Sequence, residues 1–217
     1  SVLFFLSGFA GLLYEVVFAK SLALAFGSTA VASTTVLATY MGGMALGSWI
    51  GGRLGARNRH PLRAYALCEL GIGVACALSP LTFRAVRALY VALAAGADPA
   101  SPALVALQVA LGGLALLPPT VLMGLTLPLL IRHFEARDSS LGRSVGLLYG
   151  ANTLGAALGS LTTGYLILPA LGVLHATWAA VGANFAVAFV GFRLQRFSDL
   201  LLPASAGDGR TDEAVPV

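Results

Sequence analysis

Long apolar stretches follow one another along this chain and are separated by short breaks that contain glycine, proline or basic residues. Six such stretches can be drawn, at about residues 2–26, 29–52, 62–83, 102–131, 144–168 and 173–192. Each has about 20 residues or more, the length that an α-helix needs to cross a hydrocarbon core about 30 Å thick. The pattern therefore predicts an all-α membrane protein with six transmembrane helices.

The composition points to the same class. Hydrophobic residues make up 58% of the chain, charged residues only 10%, and the mean hydropathy is +0.86. An ordinary soluble domain has about 25% charged residues, so we expect a protein that is integral to the lipid bilayer. The net charge of +4 does not indicate nucleic-acid binding, because the basic residues lie in the breaks between apolar stretches, where they act as topology signals.

The positions of Lys and Arg predict the orientation. The breaks after the second, fourth and sixth stretches hold ten of the thirteen basic residues: Arg53, Arg57, Arg59, Arg63, Arg132, Arg137, Arg143, Arg193, Arg196 and Arg210. Arg84 and Arg87 lie near the opposite side, and Lys20 lies inside the first stretch. Since loops rich in Lys and Arg stay on the cytoplasmic side, both termini are expected in the cytoplasm.

A stripe of glycines marks the second stretch. Its glycines are four residues apart, which places them on one face of a helix, and small residues let transmembrane helices approach closely. A second copy follows at an offset of 112, because GAALGSLTTGYL at 155–166 matches GMALGSWIGGRL at 43–54. The predicted helix-packing residues of the two copies are Gly43, Gly47, Gly51, Gly155 and Gly159.

The two copies occupy the same place in the predicted architecture, the middle helix of two successive triplets. Three crossings invert the direction of the chain, so the pattern predicts an inverted repeat of residues 2–97 and 101–192. Together they form a transmembrane domain at 1–197, before a polar and disordered tail at 198–217. Paired triplets of this kind build one half of a major-facilitator-type transporter. The break after the second stretch resembles that superfamily's Gly-x-x-x-Asp-Arg-x-Gly-Arg-Arg motif at Arg53 and Gly55, but Gly52 stands in place of the Asp.

Prolines predict interruptions in two helices. Pro80 is expected to bend or stop the third helix, and the amphipathic residues 84–97 after it either lie in the membrane interface or prolong that helix. The fourth stretch contains Pro118, Pro119 and Pro128. Each removes a backbone donor, so a kinked or broken helix is expected there.

Two carboxyl groups lie within the predicted spans, where ionisable residues are costly and usually face the bundle interior. Glu15 is near the middle of the first span, and Lys20 lies about 140° around the helix from it, so the two are not same-face partners. Glu15 must find a donor on another helix or stay protonated. It is either a cation or proton site beside Tyr14 or a structural carboxyl. Glu69 lies nearer to the cytoplasmic arginines, which favours a structural ion pair.

The remaining polar residues indicate packing more than chemistry. Gln108, Asn152 and Asn184 are single uncharged groups of the kind that connect transmembrane helices by hydrogen bonds. Cys68 and Cys76 are eight residues apart in one predicted helix, about 12 Å, which is too far for a disulfide. The three histidines are scattered over three breaks, so no metal site is expected.

Several segments resemble the membrane domain of bacterial proteins in which a facilitator-like helix bundle is fused to a spermidine-synthase-like domain. They are FFLSGFAGLLYEVVFAKSLAL at 4–24, MGGMALGSWIGGRL at 41–54, PLRAYALCELGIG at 61–73, PPTVLMGLTLPLL at 118–130 and LLYGANTLGAALGSLTTGYLILPALG at 147–172. The Tyr14-Glu15 pair is the most distinctive part. In that family a Rossmann-like aminopropyltransferase domain follows the helices. Here the glycine-rich residues 207–209 have no strand before them, so neither catalysis by this chain nor a cofactor is expected.

The resemblance implies a module of the bacterial cytoplasmic membrane that anchors or serves a polyamine-related catalytic domain. Carboxylates and aromatic rings are the groups that hold an amine cation, and the candidate ligand-binding residues are Glu15, Tyr14, Glu69, Tyr40, Tyr149 and Asn152. Two other classes stay open: a non-catalytic structural subunit of a larger membrane complex, and a half-size secondary transporter that acts as a dimer. A protein partner or a homo-oligomer is therefore expected.

Overall fold

The chain is almost entirely helical in the part that the structure, a computed structural model, describes: residues 2–27, 29–55, 60–96, 98, 101–135 and 141–201. The helices are α1 (Val2–Phe26), α2 (Thr29–Gly55), α3 (Pro61–Ala94), α4 (Pro102–Glu135), α5 (Leu141–Thr162) and α6 (Leu168–Leu201), and a π-helical turn at Thr163–Ile167 joins α5 to α6. The predicted tail lies outside these residues from position 202 onward, and its first four residues belong to α6.

Five helical segments in the described residues are long and apolar enough to cross a membrane. They are Val2–Phe26, Ala30–Gly55, Pro61–Ala94, Pro102–Glu135 and Gly142–Phe197. The last runs through the π-helical turn and is interrupted at Gly172, whose backbone (φ 73°, ψ 174°) is not helical. The structure confirms an all-helical membrane protein, whereas the predicted count of six spanning helices is not confirmed.

The prolines do not end the helices that contain them. α3 continues through Pro80 to Ala94, so residues 84–94 prolong this helix, the second of the two alternatives. α4 is likewise one helix through Pro118, Pro119 and Pro128, so the broken helix, one of the two expected alternatives, does not occur.

A neighbouring helix compensates for the backbone donor that Pro128 lacks. In a regular helix the N–H of residue 128 would bond to the carbonyl of Gly124. Here the Ser48 hydroxyl of α2 donates to that carbonyl at 3.1 Å. In lipid a freed carbonyl is tolerated where a neighbouring helix supplies a donor, which explains how α4 continues beyond this proline.

α1 is the central helix of the bundle, and it contacts each of the other helices. It carries no charge apart from Glu15 and Lys20, so it can bury residues on several faces. Phe18 of α1 packs its ring against Tyr14 at 5.6 Å and against Phe83 of α3 at 5.3 Å between ring centroids. These aromatic contacts form the middle of the apolar core.

The two glycine stripes lie in the closest helix contacts. A methyl group added at Gly43 or Gly47 would collide with Thr120 or with the Val121 carbonyl of α4. One added at Gly159 would collide with the Phe9 carbonyl of α1. Backbones approach this closely only over glycine, so α2 packs on α4, and α5 packs on α1.

The residues in these two helix contacts are also related by a common offset along the sequence. Gly47 and Gly159 are 112 positions apart, and so are the residues that they cover, Phe9 and Val121. Each of these glycines thus covers a carbonyl in the other half of the chain. Gly51 follows the same face against Leu125, and Gly155 follows it against Phe5.

Candidate functional site

Glu69 lies at the centre of a buried polar cluster that joins three helices. Its side chain on α3 is fully buried. The Ser7 hydroxyl of α1 donates to Oε1 at 2.5 Å, and the Asn184 amide of α6 donates to Oε2 at 2.6 Å. The hydroxyl of Tyr65 lies beside the same carboxyl without a hydrogen bond of good geometry. Both carboxyl oxygens are therefore satisfied by neutral groups.

The surroundings of Glu69 correct the prediction of an ion pair with the cytoplasmic arginines. Arg53 and Arg63 are both described, and neither forms a salt bridge with Glu69. An ion pair does join Arg132 to Glu135, at 2.9 Å on the surface. The sequence indicated the depth of Glu69 along α3, but it did not indicate that α1 and α6 would cover the side chain. Glu69 therefore keeps a structural role, with Ser7 and Asn184 as its partners in place of the arginines.

Tyr14 belongs to the core and not to an open site. Its side chain is fully buried, its hydroxyl lies beside the Cys76 thiol, and that hydroxyl has no hydrogen bond of good geometry. Cys68 and Cys76 are both free thiols. The surroundings of Tyr14 therefore fit helix packing better than ligand contact.

Glu15 has different surroundings. It is half-buried near the middle of α1, and no hydrogen bond or ion pair joins it to any residue that the structure describes. Lys20 is exposed and does not pair with it. Glu15 is close enough to Tyr40 of α2 to interact with it electrostatically. A carboxyl group therefore lies inside the apolar bundle without a fixed donor.

A cavity of about 310 Å³ opens between α1, α2, α4 and α5. Among the residues that line it are three predicted site residues, Tyr40, Tyr149 and Asn152. Gly11 and Leu12 form part of its wall, and Glu15 lies one helical turn beyond them on α1. The Tyr40 hydroxyl donates to the Gly11 carbonyl at 3.1 Å and so holds the aromatic ring at this wall.

The structure separates the six candidate ligand residues into two groups. Tyr40, Tyr149 and Asn152 line the cavity, although Tyr40 is itself only 1% exposed, whereas Tyr14 and Glu69 are fully buried and do not line it. Glu15 does not line the cavity either and lies one helical turn beyond its wall on α1. Ser7 connects the groups, because it lines the cavity and also donates to Glu69. Sequence reasoning missed Ser7, and its position about 80° around α1 from Glu15 gave no specific signal of the contact with Glu69.

The uncharged polar residues act between helices. Asn184 bonds to Glu69, and Gln108 of α4 donates to the Tyr90 hydroxyl of α3 at 2.8 Å. Asn152 lies against Gly8, with its carbonyl and side-chain oxygens occupying the space that a side chain there would need. In the described part of the chain, no group of three His, Cys, Asp or Glu residues is arranged to hold a metal ion.

Comparison of the chain with protein-family models, with curated proteins and with solved structures gives no match. The resemblance to the membrane domain of the spermidine-synthase-like fusion proteins therefore rests on the sequence segments alone.

Proposed function

We propose that this protein is a membrane module that binds an organic amine cation, of the polyamine class, in the cavity between α1, α2, α4 and α5. In this proposal Glu15 supplies the negative charge, and Tyr40 and Tyr149 supply aromatic faces. The module anchors or serves a polyamine-related catalytic domain, as the sequence resemblance implies. The observation that carries the proposal is the half-buried Glu15, which has no donor among the described residues and lies one helical turn beyond the wall of a cavity lined by two tyrosines and an asparagine.

Physical chemistry supports a cation as the ligand. A carboxylate inside a membrane bundle is costly unless it is paired, and such residues commonly mark ion or substrate sites. Tyrosine rings attract ammonium groups through their π-faces, by about 0.5–2 kcal/mol each depending on desolvation. The side-chain carbonyl oxygen of Asn152, which lines the same cavity, adds an acceptor for N–H groups. A ligand with an ammonium group matches this combination better than an anion or an apolar molecule does.

We further infer that the chain crosses the membrane six times as two inverted triplets. The interruption at Gly172 supports this inference, because it divides a segment of 56 residues, which would be about 84 Å long as one straight helix, into two parts of spanning length. The reciprocal contacts of the glycine stripes support it too, since Gly47 covers Val121 and Gly159 covers Phe9 at a common offset of 112.

The experiment is thermal melting of the purified protein in mild detergent with and without spermidine. We expect spermidine to raise the melting temperature of the parent and Glu15→Gln to remove this rise while the melting temperature without ligand stays within about 2 °C, because Gln keeps the size and the polar contacts. Glu135→Gln is the matched control. It removes the same charge from the exposed end of α4 and should keep the spermidine effect. An equal rise in both variants, or no rise in the parent, contradicts the cation site.

A second candidate is a half-size transporter in which a second copy closes the cavity. The observation that favours it is the polar rim: Tyr149 is 61% exposed, and Ser48 and Thr153 are exposed as well. The Ser48 hydroxyl is bonded to the Gly124 carbonyl, but facing lipid the hydroxyl groups of Tyr149 and Thr153 would lack partners. The test is a single cysteine at Thr153 in a background without Cys68 and Cys76. A cross-linked dimer in native membranes supports this candidate, and cross-links only to another protein support the structural-subunit alternative.

A further inference from the structure

A second pocket lies at the other end of the bundle, between α1, α3 and α6. Its volume is about 280 Å³. Ala25, Phe83 and Leu174 form apolar walls, and Arg84 and Arg87 stand at its rim. None of its lining residues lines the cavity near Glu15, so the two sites are separate.

The two arginines at this pocket are uncompensated. Both are exposed, and neither forms a hydrogen bond or an ion pair with any residue that the structure describes. They are three residues apart on α3, which places them on neighbouring positions of one helix face. Ser79, one turn before Phe83, adds a hydroxyl group that is only 6% exposed. The pocket therefore contains several hydrogen-bond donors and has a local charge of +2 at its rim, next to the apolar walls.

The height of the arginines along α3 matches the level of lipid headgroups. Arg84 is 22 residues after Leu62, about 33 Å along a helix at 1.5 Å per residue. The hydrocarbon core is about 30 Å thick. When the start of α3 lies at one surface of the core, Arg84 therefore lies just beyond the other surface, where the phosphate groups of the lipids are.

From this arrangement we propose that the pocket binds an anionic phospholipid, with its phosphate on Arg84 and Arg87 and the upper part of one acyl chain against Ala25, Phe83 and Leu174. Guanidinium groups hold phosphate oxygens through paired N–H donors. The apolar walls directly below the charges distinguish a lipid from free phosphate, because free phosphate has nothing to place there. Because α1, α3 and α6 all line the pocket, the bound lipid stabilises their packing at this end of the bundle.

The test compares melting temperatures in neutral detergent with phosphatidylglycerol, phosphatidylcholine or inorganic phosphate added. We expect phosphatidylglycerol alone to raise the melting temperature of the parent, by about 4 °C near saturation. The double variant R84Q/R87Q should lose this rise. The matched control is R193Q/R196Q, which removes two exposed arginines with the same spacing from the other end of α6 and should keep it.

Three results overturn the proposal. An equal rise in R84Q/R87Q and in R193Q/R196Q shows that the lipid acts elsewhere, and an equal rise with phosphatidylcholine shows that the anionic charge is not recognised. A rise with inorganic phosphate that R84Q/R87Q abolishes assigns the site to free phosphate.

If R84Q/R87Q does not fold, the charge-preserving R84K/R87K variant and the single R87Q variant replace it. The lysine variant should keep most of the rise and R87Q should lose about half, and equal rises in the two contradict the proposal.

Discussion

Glu15 and Glu69 are both glutamates inside apolar helices, but the bundle surrounds them differently. Glu69 is enclosed and accepts hydrogen bonds from Ser7 and Asn184. Glu15 is half-buried beside a cavity and has no donor among the described residues. A satisfied buried carboxyl connects helices, whereas an unsatisfied one is available to a ligand. The number of fixed donors, more than depth in the membrane, separates a structural glutamate from a candidate binding residue.

The largest contrast is expected in chemical labelling. Dicyclohexylcarbodiimide, an apolar reagent that modifies carboxyl groups, should modify Glu15 and leave Glu69 unmodified in the folded protein, because Glu69 is fully buried. Peptide mass spectrometry measures both sites in one sample. The unfolded protein, in which both sites should react, is the control. Preferential labelling of Glu69 in the folded protein would reverse the comparison.

Truncation of Glu15 and of Glu69 to alanine should affect the stability of the fold unequally. Glu69→Ala leaves the Asn184 amide buried without an acceptor and creates a cavity, and we expect it to destabilise the fold by about 2–4 kcal/mol. Glu15→Ala removes no protein hydrogen bond among the described residues, so its effect should stay below about 1 kcal/mol. Melting in detergent measures both. Equal losses would mean that Glu15 is also structural.

Substitution of the two residues that donate to Glu69 should destabilise the fold less than Glu69→Ala does. The loss should be larger for the more buried donor. Asn184 is 2% exposed, and Asn184→Ala should cost about 1–2 kcal/mol, because double-mutant cycles in membrane bundles find hydrogen bonds of up to about 1.7 kcal/mol and truncation adds a cavity. Ser7→Ala removes only a hydroxyl group at the cavity wall and should cost about 0.6 kcal/mol. Thermal melts of the two variants and of Glu69→Ala test this order, and a larger cost for Ser7→Ala would show that the α1 contact dominates the cluster.

A small effect is also expected at Tyr40, whose side chain lines the cavity and is 1% exposed. Tyr40→Phe keeps the ring and removes the hydroxyl that bonds to the Gly11 carbonyl at 3.1 Å, a loss of about 0.5–1 kcal/mol. Because the aromatic face remains, the spermidine-dependent rise in melting temperature should be kept. Tyr40→Leu is the partner variant and should weaken that rise. Loss of the rise in Tyr40→Phe would show that the hydroxyl, and not the ring, contacts the ligand.

Much of the fold could be predicted from single residues and their spacing. The glycines at 43, 47 and 51 indicated a contact face on α2 before any partner was known, and the structure places α4 there. The prolines of α3 and α4 were less informative, since both helices run through them. The reason is visible at Pro128, where Ser48 on another helix supplies the missing donor. Local sequence reports the lost hydrogen bond but not its replacement.

The sequence by itself determined that this is a helical membrane protein, because apolar stretches long enough to cross the bilayer leave the backbone few alternatives to a helix. It also placed two carboxyl groups inside those helices. Only the tertiary structure decided which of them is satisfied: the packing of α6 on α3 brings Asn184 to Glu69 across 115 positions of sequence, whereas no described donor reaches Glu15. Without a hydrophobic drive between helices in lipid, their arrangement depends on close side-chain fit and hydrogen bonds between distant residues, and neither can be derived from one helix alone.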